Sequence, residues 1–190
     1  MIMADLFYVI GASGAGKDSL IHYIQTHMPN DMPVMFAHRY ITRPADSGGE
    51  NHIALSSREF ERRLGLGCFA MHWYSHNTHY GIGKEIDVWL DHGLDVVMNG
   101  SREYLPEAQQ RYPSLVPVLI SVDPEVLGER LFARGREDAE QIQHRLAQAV
   151  KLEVDMRHPR LLRIENNSRL DDAGRAFLDA IIERHQEQCA

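Results

Sequence analysis

The segment that most constrains this chain is a glycine-rich stretch, Gly11–Lys17, directly after a short apolar run. It reads GASGAGK and follows Leu6–Ile10, which reads LFYVI. The spacing fits the G-x-x-x-x-G-K pattern, in which backbone N–H groups surround phosphate oxygens and the lysine reaches the outer phosphates. The pattern predicts a phosphate-binding loop between a strand and a helix, and it indicates a phosphoryl-transfer enzyme.

The residues after the loop support this interpretation. Apolar residues follow at helical spacing until Pro29, namely Leu20, Ile21, Ile24 and Met28. The N-terminus of such a helix favours an anion, since its first N–H groups are unpaired and its dipole end is positive. We therefore expect ATP phosphates at this position; the alternative is a flexible Gly/Ser turn. The predicted nucleotide-binding residues here are Gly11, Ala12, Ser13, Gly14, Ala15, Gly16, Lys17, Asp18 and Ser19.

Asp18 departs from the pattern, which has a Ser or Thr after the lysine to bind Mg²⁺. The predicted strand Val96–Met98 also runs into Asn99 where such proteins usually have an acidic metal partner. A carboxylate is a suitable oxygen ligand for Mg²⁺. The hypothesis is that Asp18 is the metal ligand, directly or through water; the alternative is that it caps the helix N-terminus.

Length, composition and charge limit the class of protein. The chain has 190 residues with 44% hydrophobic content and no linker-like segment, which predicts one domain spanning 1–190. Its net charge of -7 disfavours a general nucleic-acid or anionic-membrane surface. Without a predicted targeting segment or membrane span, and with Cys68 and Cys189 as the two cysteines, a reduced cytoplasmic setting is expected.

The remaining sequence predicts an α/β fold, because short apolar runs alternate with helical segments. Further strands are predicted at Val34–Ala37, Val96–Met98, Val116–Val122 and Leu161–Ile164. Helices are predicted at Ser57–Leu64, Lys84–His92, Arg102–Arg111, Pro124–Arg134, Ala139–Met156 and Asp171–Glu187. The pattern is irregular between Arg39 and Tyr80, which predicts an inserted acceptor-binding lobe at about 36–83.

Several motifs resemble those of the guanylate kinase family of P-loop enzymes, in the same order. They are the phosphate loop, Arg39–Arg43 (RYITR) with Gly48, Gly49 and His52 behind it, and Phe69–Gly83 (FAMHWYSHNTHYGIG). The resemblance implies a P-loop NTPase three-layer fold with a five-stranded parallel sheet and a helical lid. It also implies that Arg43 and Tyr80 contact the acceptor phosphate, while Arg39 and His52 replace a serine and a tyrosine of the family.

The positions that read guanine in that family have changed. Met71 stands at the glutamate position, Ile82 at the threonine position and Gly83 at the serine position. Apolar residues cannot hydrogen-bond a purine edge, so we expect a phosphorylated acceptor without a base.

This loss, with Lys17–Ser19, Asn99–Arg102 and Arg134–Arg136, resembles the branch of ribose 1,5-bisphosphate phosphokinases in phosphonate breakdown. These enzymes make 5-phosphoribosyl 1-diphosphate. The implied partner is a small phosphorylated sugar, with no nucleic acid or membrane, and a monomer and a homodimer both stay open. The implied substrate-binding residues are Arg39, Arg43, His52, Tyr80 and Arg102.

A mobile arginine lid is also implied by the resemblance, over about 130–150. Its candidate residues are Arg130, Arg134, Arg136 and Arg145, and Lys17 joins the last three as the predicted catalytic set. Asn166 matches a family residue near adenine, although a helix-capping turn is an alternative. Since the attacking phosphate oxygen is already anionic, no general base is expected, and catalysis should come from positioning and charge neutralisation with Mg²⁺.

Three other interpretations are weighed. One is a nucleoside monophosphate kinase with a changed base preference, and another is a kinase-shaped binding module without catalysis. The third concerns His72, His76 and His79, whose spacing would suit a zinc site on one helix face. The glycines that follow and the strand-like FAMHW run argue against a helix there. These histidines are also candidate donors to the phosphates of a bisphosphate acceptor, together with Arg39, His52 and Arg102.

Overall fold

The computed structural model describes residues 4–45, 50–135 and 137–189. The strands are β1 (Leu6–Gly11), β2 (Val34–Ala37), β3 (Arg39–Ile41), β4 (Ile53–Ala54), β5 (Phe69–Ser75), β6 (Thr78–Gly83), β7 (Asp95–Asn99), β8 (Leu115–Ser121) and β9 (Leu162–Glu165). The helices are α1 (Lys17–His27), α2 (Ser57–Gly65), α3 (Glu85–Asp91), α4 (Leu105–Arg111), α5 (Pro124–Arg134), α6 (Ala139–Asp155) and α7 (Leu170–Cys189).

Five strands form a parallel sheet in the order β2-β7-β1-β8-β9. Each is a predicted apolar run, and the observed strand ends differ from the predicted ones by one residue at most. Leu6–Ile10 is buried along its whole length, as expected for a parallel strand covered on both faces. The predicted α/β class and five-stranded parallel core are confirmed. Among the described residues, no helix has both the length and the apolar character needed to cross a membrane.

The chain divides into two compact units. The first contains Met1–Tyr8 and Asp31–Leu115, and the second contains Val9–Asn30 and Val116–Ala190. The predicted acceptor lobe at 36–83 belongs to the first unit, and the predicted lid at 130–150 belongs to the second. That the whole chain acts as one kinase domain with these two additions stays a prediction.

The first unit carries a second sheet, in the order β4-β3-β6-β5. Strands β5 and β6 form a hairpin that turns at His76 and Asn77, whose φ angles of 50° and 59° lie in the left-handed region. Asparagine tolerates this conformation better than most residues. Helix α2 begins where the Ser56 side chain accepts a hydrogen bond from the Glu59 N–H at 3.2 Å. The buried Phe60 on α2 stacks on Phe69 of β5, with ring centroids 4.6 Å apart.

The second unit places α5 and α6 on either side of a short connection. Helix α5 ends at Gly135, whose φ of 65° suits the left-handed conformation that commonly follows a helix. Helix α6 begins with a capping box, in which Asp138 and Gln141 each accept from the other's backbone N–H. These two signals mark the end of α5 and the start of α6, both of which lie inside the predicted lid segment.

One predicted helix starts later than expected. Helix α4 begins at Leu105, whereas the sequence predicted Arg102. Proline lacks an N–H and is tolerated in the first helical turn, so Pro106 sets the start of the helix beside it. Arg102 therefore lies in the turn before α4.

Candidate active site

The phosphate loop has a backbone that requires glycine. Gly14 and Gly16 both have φ of 90°, which side chains rarely adopt. A Cβ on Gly16 would lie 2.6 Å from Nδ2 of Asn166, and a Cβ on Gly11 would lie 2.8 Å from the Ile120 carbonyl oxygen. The predicted loop between β1 and α1 therefore has the glycine-dependent conformation that lets backbone N–H groups approach an anion.

Lys17 and Asn166 hold this loop. The Lys17 ammonium donates to the carbonyl oxygens of Gly11 and Ala12 at 3.0 and 3.1 Å. Asn166 is buried, and its side-chain nitrogen donates to the Ala15 carbonyl oxygen at 2.8 Å. The sequence suggested Asn166 as an adenine contact, and that role stays a prediction. Its bond to Ala15, across 151 positions of sequence, has no local sequence signal.

Asp18 lies in the first turn of α1 and is half-buried. The N-cap residue of α1 is Gly16, so Asp18 lies two positions inside the helix and does not occupy the N-cap position itself. The alternative in which Asp18 stabilises the helix N-terminus stays open. A carboxylate in the first turn is favoured by the helix dipole, which is compatible with a second role as a cation ligand. That metal role stays a prediction.

The lid arginines meet at a carboxylate that the sequence did not single out. Arg134 and Arg145 both pair with Oε1 of Glu137, the latter at 3.3 Å. The Glu137 side chain is 5% exposed, whereas the two arginine side chains are about one third exposed. Glu137 therefore gathers two predicted catalytic arginines between α5 and α6. The third, Arg136, lies outside the described residues.

A similar cluster lies in the first unit at the predicted acceptor site. Arg39 donates to both carboxylate oxygens of Glu50 through Nε and Nη2. Arg43 Nη2 lies 3.4 Å from the Glu50 Oε2. The structure thus brings together two of the three arginines predicted to bind the acceptor. It adds Glu50, which the sequence analysis missed; Gly48 and Gly49 of the same loop lie outside the described residues.

His52 contacts the backbone at both Glu50 and Arg43. Its Nδ1 lies 3.1 Å from the Glu50 carbonyl oxygen, and its Nε2 lies 3.1 Å from the Arg43 carbonyl oxygen. The side chain is buried. Both ring nitrogens therefore face main-chain oxygens within the loop, so His52 positions the loop. Direct contact of His52 with a substrate stays a prediction.

One face of the second sheet carries two of the predicted acceptor residues, Arg39 and Tyr80. Residues opposite each other in a β-sheet share a face, and the register pairs Arg39 with Ile82, Met71 with Ile82, and Trp73 with Tyr80. The Arg39 guanidinium lies 5.1 Å from the centre of the Tyr80 ring, and the Trp73 and Tyr80 rings are parallel with centroids 5.6 Å apart. This surface is defined as the acceptor face.

His72 and His79 lie on the opposite face. The register pairs His72 with Gly81, and the His79 ring lies 5.2 Å from Phe60 of α2. These two histidines therefore do not share the face of Arg39 and Tyr80, and their role as phosphate donors stays a prediction. No three His, Cys, Asp or Glu residues are grouped to hold a metal ion within 4–45, 50–135 and 137–189. The zinc alternative fails because the segment is a hairpin and not a helix.

The turn that carries Arg102 is fixed by a tyrosine of β1. The buried Tyr8 hydroxyl donates to the Ser101 carbonyl oxygen and accepts from the Ser101 N–H, both at 2.9 Å. Burial raises the pKa of Tyr8 well above its ordinary value, so the hydroxyl keeps its proton. A Cβ on Gly100 would lie 2.1 Å from the Tyr8 ring. Tyr8 and Gly100 thereby position Arg102, whose side chain is about one third exposed and 4.0 Å from Glu103.

Comparison with known proteins decides the family. The chain is 53% identical over 183 residues to the ribose 1,5-bisphosphate phosphokinase PhnN of Thiobacillus denitrificans, covering 95% of this chain and 94% of the relative. It is 52% identical to the protein of that name from Desulfomicrobium baculatum, covering 95% and 96%. The chain belongs to the ribose 1,5-bisphosphate phosphokinase family. The predicted branch is thus confirmed.

The fold of this phosphokinase family member is also found in solved structures. A guanylate kinase from Anaplasma phagocytophilum matches with a TM-score of 0.70 at 14% identity, covering 97% of this chain and 87% of that one. A gluconokinase from Sinorhizobium meliloti matches with a TM-score of 0.51 at 17% identity, covering 98% and 95%. At such identities the likeness concerns the fold, and it confirms the predicted P-loop NTPase architecture. No family model matches the chain.

Each compact unit of the phosphokinase holds one set of predicted site residues. The phosphate loop, Asn166 and the Glu137 cluster belong to the second unit. The acceptor face, the Glu50 cluster and the Arg102 turn belong to the first. The predicted nucleotide-binding and acceptor-binding functions therefore separate along the same division as the compact units.

Proposed function

We propose that this chain transfers the γ-phosphoryl group of ATP to ribose 1,5-bisphosphate, giving 5-phosphoribosyl 1-diphosphate and ADP in phosphonate breakdown. The relatives' names support a phosphotransferase of this kind. Among structural observations, the acceptor face carries the proposal. This face has Arg39 and Tyr80, which could bind a phosphate. The side chains beside them, Met71 and Ile82, are apolar and buried and could not hydrogen-bond a base. We place the reaction in the cytoplasm because its second substrate is ATP.

The buried apolar residues argue against a purine acceptor. Met71 and Ile82 are 1% and 0% exposed and have no side-chain group that could hydrogen-bond a base edge. A Cβ on Gly83 would lie 1.9 Å from Oε2 of Glu85, so a serine there would require Glu85 to move. A site built to hydrogen-bond its substrate rejects an analogue that lacks the bonding group by a factor of about 10⁴ to 10⁵ in kcat/KM. The three positions that would supply those bonds in a guanylate kinase cannot do so here.

The acceptor's charge suits the basic residues of the first unit. Ribose 1,5-bisphosphate carries two phosphates, and guanidinium groups match phosphate geometry and stay charged. Arg39 and Arg43 lie together at Glu50, while Arg102 lies on the turn held by Tyr8. In the proposed assignment, Arg43 and Tyr80 orient the attacking 1-phosphate, and Arg39 and Arg102 contribute to holding the 5-phosphate.

The chemistry requires positioning more than proton transfer, because a phosphate oxygen attacks as an anion. Lys17 and the backbone of the phosphate loop bind the ATP phosphates, and Arg134, Arg136 and Arg145 neutralise charge that develops during transfer. The glycine-dependent loop, with a half-buried carboxylate at Asp18, fits a nucleotide bound with a cation. When bound, Mg²⁺ supplies further neutralisation at the phosphates, and Asp18 is the residue proposed to hold it.

An acceptor panel tests the proposed function. The purified chain is incubated with ATP and Mg²⁺ and with ribose 1,5-bisphosphate, GMP, AMP, ribose 5-phosphate or no acceptor, and ADP formation is measured. We expect turnover with ribose 1,5-bisphosphate and 5-phosphoribosyl 1-diphosphate as the product. Lys17→Met, prepared identically, controls for contaminating kinases. Turnover of GMP or AMP instead would favour a nucleotide kinase, and no turnover with any acceptor would favour a binding module.

A further inference from the structure

We infer that Glu50 is a positioning residue for the bisphosphate acceptor, holding the guanidinium groups of Arg39 and Arg43 side by side. The inference rests on the proposed function, in which these arginines bind the acceptor. Neither the phosphate-loop pattern nor the lid pattern involves Glu50. Its role follows from the contacts within the first unit.

The carboxylate binds both arginines without exhausting their donors. A guanidinium has five N–H donors. Glu50 accepts two from Arg39 and one from Arg43. Both arginines therefore keep donors for a phosphate while they are held by Glu50, so the carboxylate and the acceptor can be bound at the same time.

Charge explains why a carboxylate is needed here. Two adjacent guanidinium groups repel each other, and the repulsion is stronger where water is partly excluded. The side chains of Arg39 and Glu50 are 14% and 10% exposed, so the pair is largely shielded from solvent. The cluster of two arginines and one glutamate keeps one net positive charge, which attracts an anion after the repulsion has been offset.

The backbone around Glu50 is also restrained. The two contacts of the His52 ring join the carbonyls of Glu50 and Arg43. The stacking of Arg39 over Tyr80 fixes the other guanidinium against the acceptor face. The Glu50 backbone is therefore held through its carbonyl, and its side chain binds an arginine that is itself held against Tyr80. Such a residue can fix the positions of the two guanidinium groups.

The first test removes the charge of the Glu50 side chain in one variant and shortens the side chain in another. Glu50→Gln is expected to lower kcat/KM for ribose 1,5-bisphosphate at least tenfold with the ATP KM unchanged, because Arg39 and Arg43 lose their common anchor. Glu50→Asp, which keeps the charge but is shorter, should fall between wild type and Glu50→Gln. Glu61→Gln, an exposed glutamate on α2, is the matched control and should keep wild-type values. Melting curves verify that each variant is folded.

A double-mutant cycle separates positioning from a general structural effect. If Glu50 acts in part through Arg39, adding Glu50→Gln to an Arg39→Ala variant should lower kcat/KM by a clearly smaller factor than the factor of at least ten expected in the wild type. Inorganic phosphate supplies a second readout. It should inhibit Glu50→Gln more strongly than wild type, because the cluster's net charge rises from one to two and a single free phosphate does not need both arginines held in one geometry.

The inference is overturned if Glu50→Gln keeps the wild-type kcat/KM, if the two substitutions act independently in the cycle, or if inhibition by phosphate weakens. Each of these results leaves the proposed function intact, provided that wild type turns over ribose 1,5-bisphosphate. A wild-type chain with no such turnover would contradict the proposed function itself.

Discussion

The hydroxyl of Tyr8 is predicted to stabilise the turn that carries Arg102. Replacing Tyr8 by phenylalanine keeps the buried ring against Gly100 and removes one oxygen atom. That oxygen makes two hydrogen bonds of 2.9 Å to the backbone of Ser101, one as a donor and one as an acceptor. The substitution therefore leaves an N–H and a carbonyl of the turn without their partner.

The magnitude follows from those two bonds. A hydrogen bond contributes about 0.5–1.5 kcal/mol net to stability, so two bonds give a loss of about 2 kcal/mol in the free energy of unfolding. For a chain of this length, 1 kcal/mol corresponds to roughly 2–4 °C in Tm. Tyr8→Phe should thus lower Tm by about 4–8 °C. Because the turn carries Arg102, the acceptor KM should rise several-fold while the ATP KM stays unchanged.

The assay pairs thermal unfolding with steady-state kinetics. Tyr23→Phe is the matched control, because Tyr23 stacks on His27 through its ring, with centroids 4.0 Å apart, and this contact does not need the hydroxyl. Both variants are measured at the same pH and protein concentration. A Tm for Tyr8→Phe within 1 °C of the Tyr23→Phe value, together with an unchanged acceptor KM, would refute the reasoning that the hydroxyl holds the Arg102 turn.

Two further predictions concern the nucleotide-binding unit. Asp18→Ser restores the hydroxyl of the usual phosphate-loop pattern. If Asp18 holds the cation, this variant should need a severalfold higher Mg²⁺ concentration for half-maximal activity. Full activity at the wild-type Mg²⁺ requirement would exclude that role. Asn166→Ala removes the buried donor to the Ala15 carbonyl, so stability should fall by about 1–3 kcal/mol and the ATP KM should rise, with the acceptor KM unaffected. Chemical denaturation and ATP titration measure both effects, and a wild-type ATP KM would show that the loop keeps its shape without this bond.

Most elements of the fold were predictable because their signals are local. Short stretches of sequence are enough to predict the strands of the parallel sheet, β1, β2, β7, β8 and β9, and the helix Pro124–Arg134. The start of α4 was misplaced, since the periodic pattern extends to Arg102 although Pro106 sets the boundary. The family was predictable for the same reason, because its motifs are short and follow one another in order.

Some of the contacts that the sequence did not predict join residues far apart in the chain. Tyr8 meets Ser101 across 93 positions and Asn166 meets Ala15 across 151. Glu50 and Glu137 are nearer their arginines, but an acidic residue near arginines is common on protein surfaces, and their burial is visible only in the folded chain.

The phosphate loop, the parallel sheet and the loss of polar side chains at Met71, Ile82 and Gly83 were predictable from the sequence, because glycine spacing, apolar periodicity and residue chemistry are properties of the chain. Tertiary structure decided which arginines share a carboxylate, which face of the hairpin carries Arg39 and Tyr80, and what fixes the Arg102 turn. These features depend on strand register and burial, which arise only when distant segments pack together.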